Sequence, residues 1–234
     1  MLLMSSSSVQ GAGYLDYYEG EIKDFLGAEV KRVLFVPFAG VVKTFDEYTA
    51  IVRERFEAMG YGLDSVHEAR DARQAVRSAE AIVVGGGNTF HLLRKLYETG
   101  LIEGIRERVL DGVPYVGWSA GSNVACPTIK TTNDMPVVEP PSFDAFNLVP
   151  FQINPHYTNA LPQGHQGETR EQRIEEFVKL NRGVYVVGLR EGSTLRVEGS
   201  TIRLRGEKEV RVFLSGQEAR EYGPEESLGF LLRA

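Results

Sequence analysis

The chain has 234 residues, of which 42% are hydrophobic and 25% charged, which is ordinary for a globular protein and long enough for one large α/β domain. Its net charge of −6 comes with no basic stripe, which argues against a nucleic-acid partner. No apolar run approaches the ~20 residues of a membrane span, and the N-terminus lacks the features of a signal peptide. With Cys126 as its one cysteine, we expect a cytoplasmic protein with no membrane partner.

Strands and helices are predicted to alternate along the first half of the chain. Near-continuous apolar runs predict buried strands, and apolar residues at helical spacing predict helices. The strands are expected at 1–4, 31–38, 63–66, 81–84 and 113–118, and the helices at 14–26, 46–59, 71–79, 90–97 and 102–110. This alternation is typical of a doubly wound, mostly parallel sheet, and we predict one domain over residues 1–234.

The second half begins with a long polar loop at 127–141 and a predicted strand at 146–153. A loop at 157–168 leads to an amphipathic helix over 169–180, with Thr169 as N-cap and Gln172 at capping-box spacing. A buried strand follows at 184–189. Three alternating segments at 194–197, 201–204 and 210–214, separated by polar turns, predict a small antiparallel β appendix near the C-terminus.

The clearest chemical motif is GWSAG at 117–121, which follows the apolar run that begins at Val113. It matches the G-x-S-x-G pattern of a sharp strand-to-helix turn, where glycines fit positions too tight for side chains. Such a turn exposes the hydroxyl of Ser119 at a helix N-terminus, where developing negative charge is stabilised. The alternative is a glycine-rich turn that only packs a helix on a sheet.

Ligands of open α/β sheets bind beyond the carboxyl ends of the strands, so the residues that come after each predicted strand are candidates. Ser119, His156 and Glu191 each come after a different strand, and we expect them to meet at one edge of the sheet. A serine nucleophile needs a base, here His156, and the base needs a carboxylate. Glu191 is the favoured acid; Asp134, which lies between serine and histidine in the sequence, is the second choice, and Asp144 is weaker.

The glycine-rich stretch at 85–88, between a strand and a helix, has two interpretations. It could cradle a phosphate or other anion, although it lacks the lysine of a P-loop. It could instead supply a backbone N–H of Gly86 or Gly87 to an oxyanion hole, with the N–H of Ala120 as the other donor. No cysteine and histidine cluster has metal-ligand spacing, so no metal is predicted.

Six segments of this chain resemble the S51 serine peptidases, the family of the alpha-aspartyl dipeptidases. They are FVPFAGV at 35–41, IVVGGGNTF at 82–90, GWSAGSN at 117–123, CPTIKTTNDMP at 126–136, FQINPHYTNALPQGHQGETREQRI at 151–174 and GLREGS at 188–193. Motifs of this length in one order are highly specific, and together they span nearly the whole chain.

The resemblance implies cleavage of dipeptides with an N-terminal aspartate, Asp-Xaa, by acyl transfer to Ser119 and then to water, without a cofactor. It implies a fold similar to the class I glutamine amidotransferases, which is flavodoxin-like, and a triad of Ser119, His156 and Glu191. The position of Asp134 is also sometimes assigned to the charge relay in this family, so both acids remain candidates.

Specificity for aspartate requires a cation near the substrate carboxylate, and arginine binds a carboxylate with two parallel hydrogen bonds. Arg170 is the first candidate, with Arg173 and Lys130 behind it, and Asn88 and His165 are further candidates for substrate contact. A related S51 peptidase acting on β-aspartyl or cyanophycin-type bonds is the alternative enzyme. A non-catalytic module that binds an anion or nucleotide is the alternative of another class. The expected partner is a small peptide, and the protein is expected to be a monomer or a homodimer.

Overall fold

The computed structural model describes residues 1–160, 164 and 166–233. The strands are β1 (Leu2–Met4), β2 (Arg32–Val36), β3 (Gly62–Ser65), β4 (Ile82–Val84), β5 (Tyr115–Trp118), β6 (Gln152–Pro155), β7 (Val186–Leu189), β8 (Thr194–Glu198), β9 (Thr201–Arg205), β10 (Val210–Phe213) and β11 (Arg220–Tyr222). The α-helices are α1 (Glu19–Leu26), α2 (Phe45–Ala58), α3 (Ala72–Ser78), α4 (Thr89–Thr99), α5 (Ile102–Leu110), α6 (Ala120–Asn123) and α7 (Arg170–Leu180). None of the helices in these described ranges combines the length and the apolar character that crossing a membrane requires.

The strands form two sheets. The larger has seven strands in the order β3-β2-β4-β5-β1-β8-β9; the first five are parallel, and β8 and β9 are antiparallel to their neighbours. The smaller has four strands in the order β11-β10-β7-β6, and only β6 and β7 are parallel. The predicted α/β fold with a mostly parallel central sheet is therefore confirmed, and a second sheet is added to it.

Helices cover both faces of the larger sheet. Successive side chains of a strand point to opposite faces, so neighbours in sequence join different cores. On one face Leu34 of β2 packs in a core with residues of α3, α4 and α5, and on the other Phe35 packs in a core with residues of α1 and α2. The apolar runs read as continuous in the sequence because both faces are buried.

The predicted antiparallel segments are strands, but they do not form a separate appendix. β8 pairs with β1 and extends the larger sheet, whereas β10 pairs with β7 and belongs to the smaller one. The appendix prediction was wrong in this respect because alternation along a segment shows that one face is buried, without showing against which strand.

The strand predicted at 146–153 begins only at Gln152. The apolar residues before it are buried as a loop whose amides bond to the two residues that follow α6. Phe146 N–H donates to Val124 O at 2.9 Å and Leu148 N–H to Ala125 O at 2.9 Å. Phe146 is fully buried in this arrangement. The run is apolar because this loop is buried against a neighbouring turn, and the sequence pattern therefore resembles that of a strand.

The capping box predicted for α7 is confirmed. Gln172 N–H donates to Thr169 Oγ1 at 3.1 Å, and Thr169 N–H donates to Gln172 Oε1 at 2.8 Å. The two bonds satisfy amides that the first helical turn leaves without intrahelical partners. They fix the start of α7 and therefore the position of Arg170, its first residue.

Candidate active site

The turn between β5 and α6 carries Ser119 in an unusual backbone conformation, with φ 52° and ψ −111°. A Cβ added to Gly121 would lie 2.1 Å from the carbonyl oxygen of Val84, and one added to Gly117 would lie 2.6 Å from the carbonyl oxygen of Gly121. Both glycines are therefore required by close backbone approaches, as the motif predicts. The serine is held in a conformation that L-residues seldom adopt, which is typical of a constrained functional turn.

A line of hydrogen bonds joins three side chains at this turn. Ser119 Oγ lies 2.9 Å from His156 Nε2, and His156 Nδ1 lies 2.7 Å from Glu191 Oε1. With its proton on Nδ1, the imidazole donates to the carboxylate and leaves Nε2 free to accept the serine proton. The structure thus brings together the hydroxyl, the imidazole and the carboxylate that come after three predicted strands.

These groups come from two sheets, which corrects the expectation of one sheet edge. Ser119 follows β5 of the larger sheet, whereas His156 follows β6 and Glu191 lies just after β7 of the smaller sheet. Ser5, directly after β1, joins the two: its hydroxyl donates to Leu189 O at 2.7 Å and accepts from His156 N–H at 2.9 Å.

Ser5 is fully buried, and sequence reasoning missed it. Its hydrogen bond holds the backbone of His156, which has a φ of 54°, in another conformation that is rare for residues other than glycine. The signal that could have identified Ser5 is its position, because it stands directly after a predicted strand just as Ser119 does.

An open cleft of about 580 Å³ lies in front of Ser119, and Gly86 and Gly87 line it. A Cβ added to Gly86 would lie 3.1 Å from the Cβ of Ser119, and one added to Gly87, where φ is 135°, would lie 2.3 Å from Ala39 O. In the described part of the chain, neither glycine amide donates a hydrogen bond. The amide of Ala120, the first residue of α6, has no intrahelical acceptor either.

Asp134 also lines this cleft, but its hydrogen bonds lead elsewhere. Its Oδ2 accepts from Thr89 N–H at 2.7 Å, from Thr89 Oγ1 at 2.5 Å and from Thr132 Oγ1 at 3.1 Å. Among the described residues, no hydrogen bond joins Asp134 to His156. Its carboxylate sits at the N-terminus of α4, where a negative charge is favourable. Asp144 is placed in a backbone bridge with Thr128.

The side-chain amide of Asn88 is engaged on both sides. Its Oδ1 caps α4 by accepting from His91 N–H at 3.0 Å, and its Nδ2 donates to Met135 O at 2.9 Å. Asn88 lines the cleft in this fixed orientation and ties the loop around Met135 to the start of α4. His165, the other predicted substrate contact, lies outside the described residues.

Arg170 does not line the cleft that contains Ser119 but a neighbouring cavity of about 180 Å³, and Asp134 lines both. Lys130 and Arg173 also line this cavity. Arg170 Nη1 is buried and has no hydrogen-bond partner among the described residues, and burial lowers the pKa of the guanidinium from its usual value. Arg173, by contrast, is exposed and lies 3.6 Å from Glu168. The charge of Glu191 partly offsets the effect of burial on the pKa of Arg170. A partly desolvated cation with a buried N–H that has no acceptor among the described residues is suited to bind an anion.

Two other groups that could carry chemistry have local explanations. Cys126 is fully buried, and burial raises the pKa of its thiol to about 12, so it is an inert thiol. Asp46, His67 and Glu68 bring three potential metal-ligand atoms within 4.8 Å of one another. However, His67 uses its ring nitrogens on Ser65 and Asp46, and Glu68 pairs with Arg53.

A serine, a histidine and a carboxylate joined in one line at a cleft are the arrangement that serine hydrolases use. The chain belongs to peptidase family S51, whose family model matches residues 1–205. It is 55% identical to a peptidase E from Nostoc sp. over 99% of this chain and 96% of that protein. It is 50% identical to a protein named "Probable alpha-aspartyl dipeptidase" from Drosophila melanogaster, over 100% of this chain and 97% of that one. Its fold is similar to the crystal structure of a peptidase from an acI-B1 Actinobacterium, with a TM-score of 0.68 and 18% identity over 97% of this chain and 95% of that chain.

Proposed function

We propose that the protein is a serine dipeptidase that hydrolyses peptides with an N-terminal aspartate, Asp-Xaa. Membership of family S51 and the names of relatives at 50% and 55% identity support the substrate class. The observation that carries the chemistry is the unbroken hydrogen-bond line from Ser119 through His156 to Glu191.

In the proposed reaction Ser119 Oγ attacks the carbonyl carbon of the aspartyl residue while His156 Nε2 takes the hydroxyl proton. Glu191 accepts the hydrogen bond from Nδ1 and stabilises the imidazolium that forms. The imidazolium then protonates the leaving amine, the C–N bond breaks, and the aspartyl group remains as an ester on Ser119. A water molecule, deprotonated by His156, hydrolyses this ester in the second half of the cycle.

The tetrahedral intermediate places a negative oxygen beside Ser119, and backbone amides are the proposed donors to it. The amide of Ala120 and an amide of the loop formed by Gly86 and Gly87 are the candidates, because Ala120 directly follows the nucleophile, the two glycines line the cleft, and none of these amides has another acceptor in the described residues. Donors fixed by the fold stabilise such an oxygen without reorganising during the reaction.

Arg170 is the proposed partner of the substrate's side-chain carboxylate. Its Nη1, which has no acceptor within the described ranges, and the shared lining by Asp134 support a pocket that continues from the cleft toward α7. Lys130 and Arg173 line the same cavity and add positive potential. Asp134 is proposed to hold the loop that separates the two spaces, through its bonds to Thr89 and Thr132.

We further propose a single domain of the class I glutamine amidotransferase type, acting in the cytoplasm as a monomer or homodimer. The last four strands complete both sheets, which supports one domain. The constrained serine between a parallel strand and a short helix supports the fold relationship. The free, buried thiol of Cys126 is consistent with a reducing compartment.

The experiment that tests this function compares wild type and Ser119→Ala on Asp-Leu, Glu-Leu, Asn-Leu and β-aspartyl-leucine. We expect hydrolysis of Asp-Leu alone, and none by Ser119→Ala, whose fold circular dichroism would show to be intact. Hydrolysis by Ser119→Ala would refute the mechanism. A preference for the β-aspartyl peptide would indicate the alternative activity, an S51 peptidase that cleaves β-aspartyl bonds. Labelling of Ser119 by a fluorophosphonate reports the nucleophile independently of the substrate.

A further inference from the structure

Tyr48 lines the same cleft as Ser119, Gly86 and Gly87, and its hydroxyl makes three hydrogen bonds. It donates to Gly86 O at 3.0 Å, and it accepts from Trp118 Nε1 at 3.2 Å and from Tyr14 Oη at 3.2 Å. The side chain extends from α2, and its ring packs edge-on against Phe35 at 5.2 Å between centroids. The line from Ser119 through His156 to Glu191 does not include this residue.

The partners of the Tyr48 hydroxyl determine where its proton points. A tyrosine hydroxyl has one proton and accepts through its oxygen, and the indole nitrogen of Trp118 can only donate. Because Trp118 and Tyr14 both donate to the oxygen, the one proton is committed to Gly86 O. Burial raises the pKa of Tyr48 to about 12, so this proton is retained at neutral pH.

The bond to Gly86 O also fixes the amide on the other side of the same peptide. All described peptide bonds are trans, so the C=O of Gly86 and the N–H of Gly87 lie in one plane and point in opposite directions. With the carbonyl held toward Tyr48, the N–H of Gly87 points away from it. This N–H belongs to a residue that lines the cleft and has no acceptor in the described structure.

Among the described residues, the bond from Tyr48 is the one hydrogen bond that this peptide itself makes, although Gly85 N–H and Asn88 N–H on either side of it donate to Val36 O and Ala39 O. The peptide lies between two glycines, which have no side chains to pack and the widest range of backbone angles. A rotation of this peptide plane would exchange the directions of the Gly87 N–H and the Gly86 C=O. The carbonyl oxygen could then face a developing negative charge. A donor preorganised toward an oxyanion contributes far more than one that must first rotate into place.

We propose that Tyr48 is a positioning residue that holds the peptide between Gly86 and Gly87 so that Gly87 N–H is the oxyanion donor from this loop. The proposal rests on the serine peptidase function and goes beyond it, because it selects one of two glycine amides and assigns the residue that orients it. Tyr48 acts through that peptide and takes no part in proton transfer.

The test is Tyr48→Phe, which removes only the hydroxyl. Loss of an oxyanion donor lowers kcat by roughly 10²–10³-fold, and loss of its support should lower kcat for Asp-Leu by about 10- to 100-fold. KM should change by less than about twofold, because the donor acts on the transition state. The rate of fluorophosphonate labelling at Ser119 should fall with kcat, since the phosphonyl oxygen uses the same donor.

Tyr61→Phe is the matched control. Tyr61 is buried in the same core, and its hydroxyl donates to Gly27 O at 3.0 Å and, more weakly, to Lys23 O at 3.4 Å, so the variant also loses a bond to a glycine carbonyl. We expect both variants to lose thermal stability, Tyr48→Phe more than Tyr61→Phe because its hydroxyl makes three bonds, with wild-type kcat and labelling only in Tyr61→Phe. Unchanged kcat and labelling in Tyr48→Phe, or equal losses in both variants, would overturn the proposal.

A measurement on the wild type keeps the test independent of how well the variant folds. In protein labelled with ¹⁵N-glycine, an aspartate-derived boronic acid that becomes tetrahedral on Ser119 should move the Gly87 amide proton strongly downfield. If only the Gly86 amide moves, the proposal fails while the serine mechanism stands. If wild type neither labels at Ser119 nor binds the boronic acid, the proposed function itself fails.

Discussion

Replacing Glu191 by glutamine tests whether Glu191 or Asp134 is the carboxylate that supports His156. The substitution keeps the size of the side chain but removes the charge that lies 2.7 Å from His156 Nδ1. The amide of glutamine can also donate to Nδ1, which favours the tautomer whose proton is on Nε2. That tautomer cannot accept the proton of Ser119, so we expect the main loss in kcat.

The expected loss of kcat in Glu191→Gln follows from the hydrogen bond that the substitution weakens. A hydrogen bond to a charged group contributes about 1.5–3 kcal/mol, and each 1.36 kcal/mol of barrier is a factor of ten in rate, which gives roughly 10- to 150-fold. The side chain of Glu191 is 52% exposed, so solvent screens the interaction. The loss should therefore fall well short of the ~10⁴-fold recorded for the buried aspartate of a serine protease.

The assay is steady-state hydrolysis of Asp-Leu by Glu191→Gln and Asp134→Asn, with unfolding followed by circular dichroism. Asp134→Asn removes a charge from the N-terminus of α4 and weakens three hydrogen bonds, so we expect lower stability by about 1–2 kcal/mol and a smaller loss in kcat. A large loss of kcat in Asp134→Asn together with a mild effect in Glu191→Gln would refute the assignment.

Three further predictions concern packing, specificity and the thiol. Gly121→Ala should lose more than about 3 kcal/mol of stability in chemical denaturation, because its Cβ would lie 2.1 Å from a carbonyl oxygen of β4. Gly104→Ala is its control: the nearest atom would lie 3.7 Å away from this position in α5, so stability should hold or rise. Arg170→Met should raise KM for Asp-Leu at least about tenfold without loss of melting temperature, since it removes a partly desolvated charge whose Nη1 has no acceptor in the described residues. The exposed Arg173→Met should leave both KM and melting temperature near the wild-type values, and a lower melting temperature in Arg170→Met would contradict this account. Cys126, with a pKa of about 12, should react with a thiol reagent at pH 8 about a thousandfold more slowly than in denaturant, and rapid labelling of the native protein would show that the thiol is accessible.

Much of the site can be predicted because its chemistry lies where strands end. The two glycines around Ser119 are a local signal, since their close contacts come from residues of the same turn and the neighbouring strand β4. His156 and Glu191 each stand just after an apolar run, which is the signal that predicts them, and the structure places both within hydrogen-bond distance in one line. Their catalytic roles stay a prediction that the Ser119 and Glu191 variants test.

The pairing of strands could not be predicted in the same way. β8 begins five residues after β7 ends, yet it pairs with β1 at the other end of the chain, while β7 pairs with β6 and β10. Local alternation records how a segment is buried but not its partner. Tyr48 shows the same limit, because helical spacing identifies it as a core residue and leaves the three bonds of its hydroxyl unseen.

The hydroxyl of Ser5 ties the ends of β6 and β7 to the strand beside the nucleophile. Alignment of the proton relay is therefore a property of how two sheets dock rather than of either sheet alone. Weakening the contact between the two sheets would misalign Ser119 and His156 while leaving each sheet folded. Mild denaturant should then abolish peptide hydrolysis before the far-ultraviolet circular dichroism changes. Enzyme activity would therefore report how the two sheets are positioned against each other.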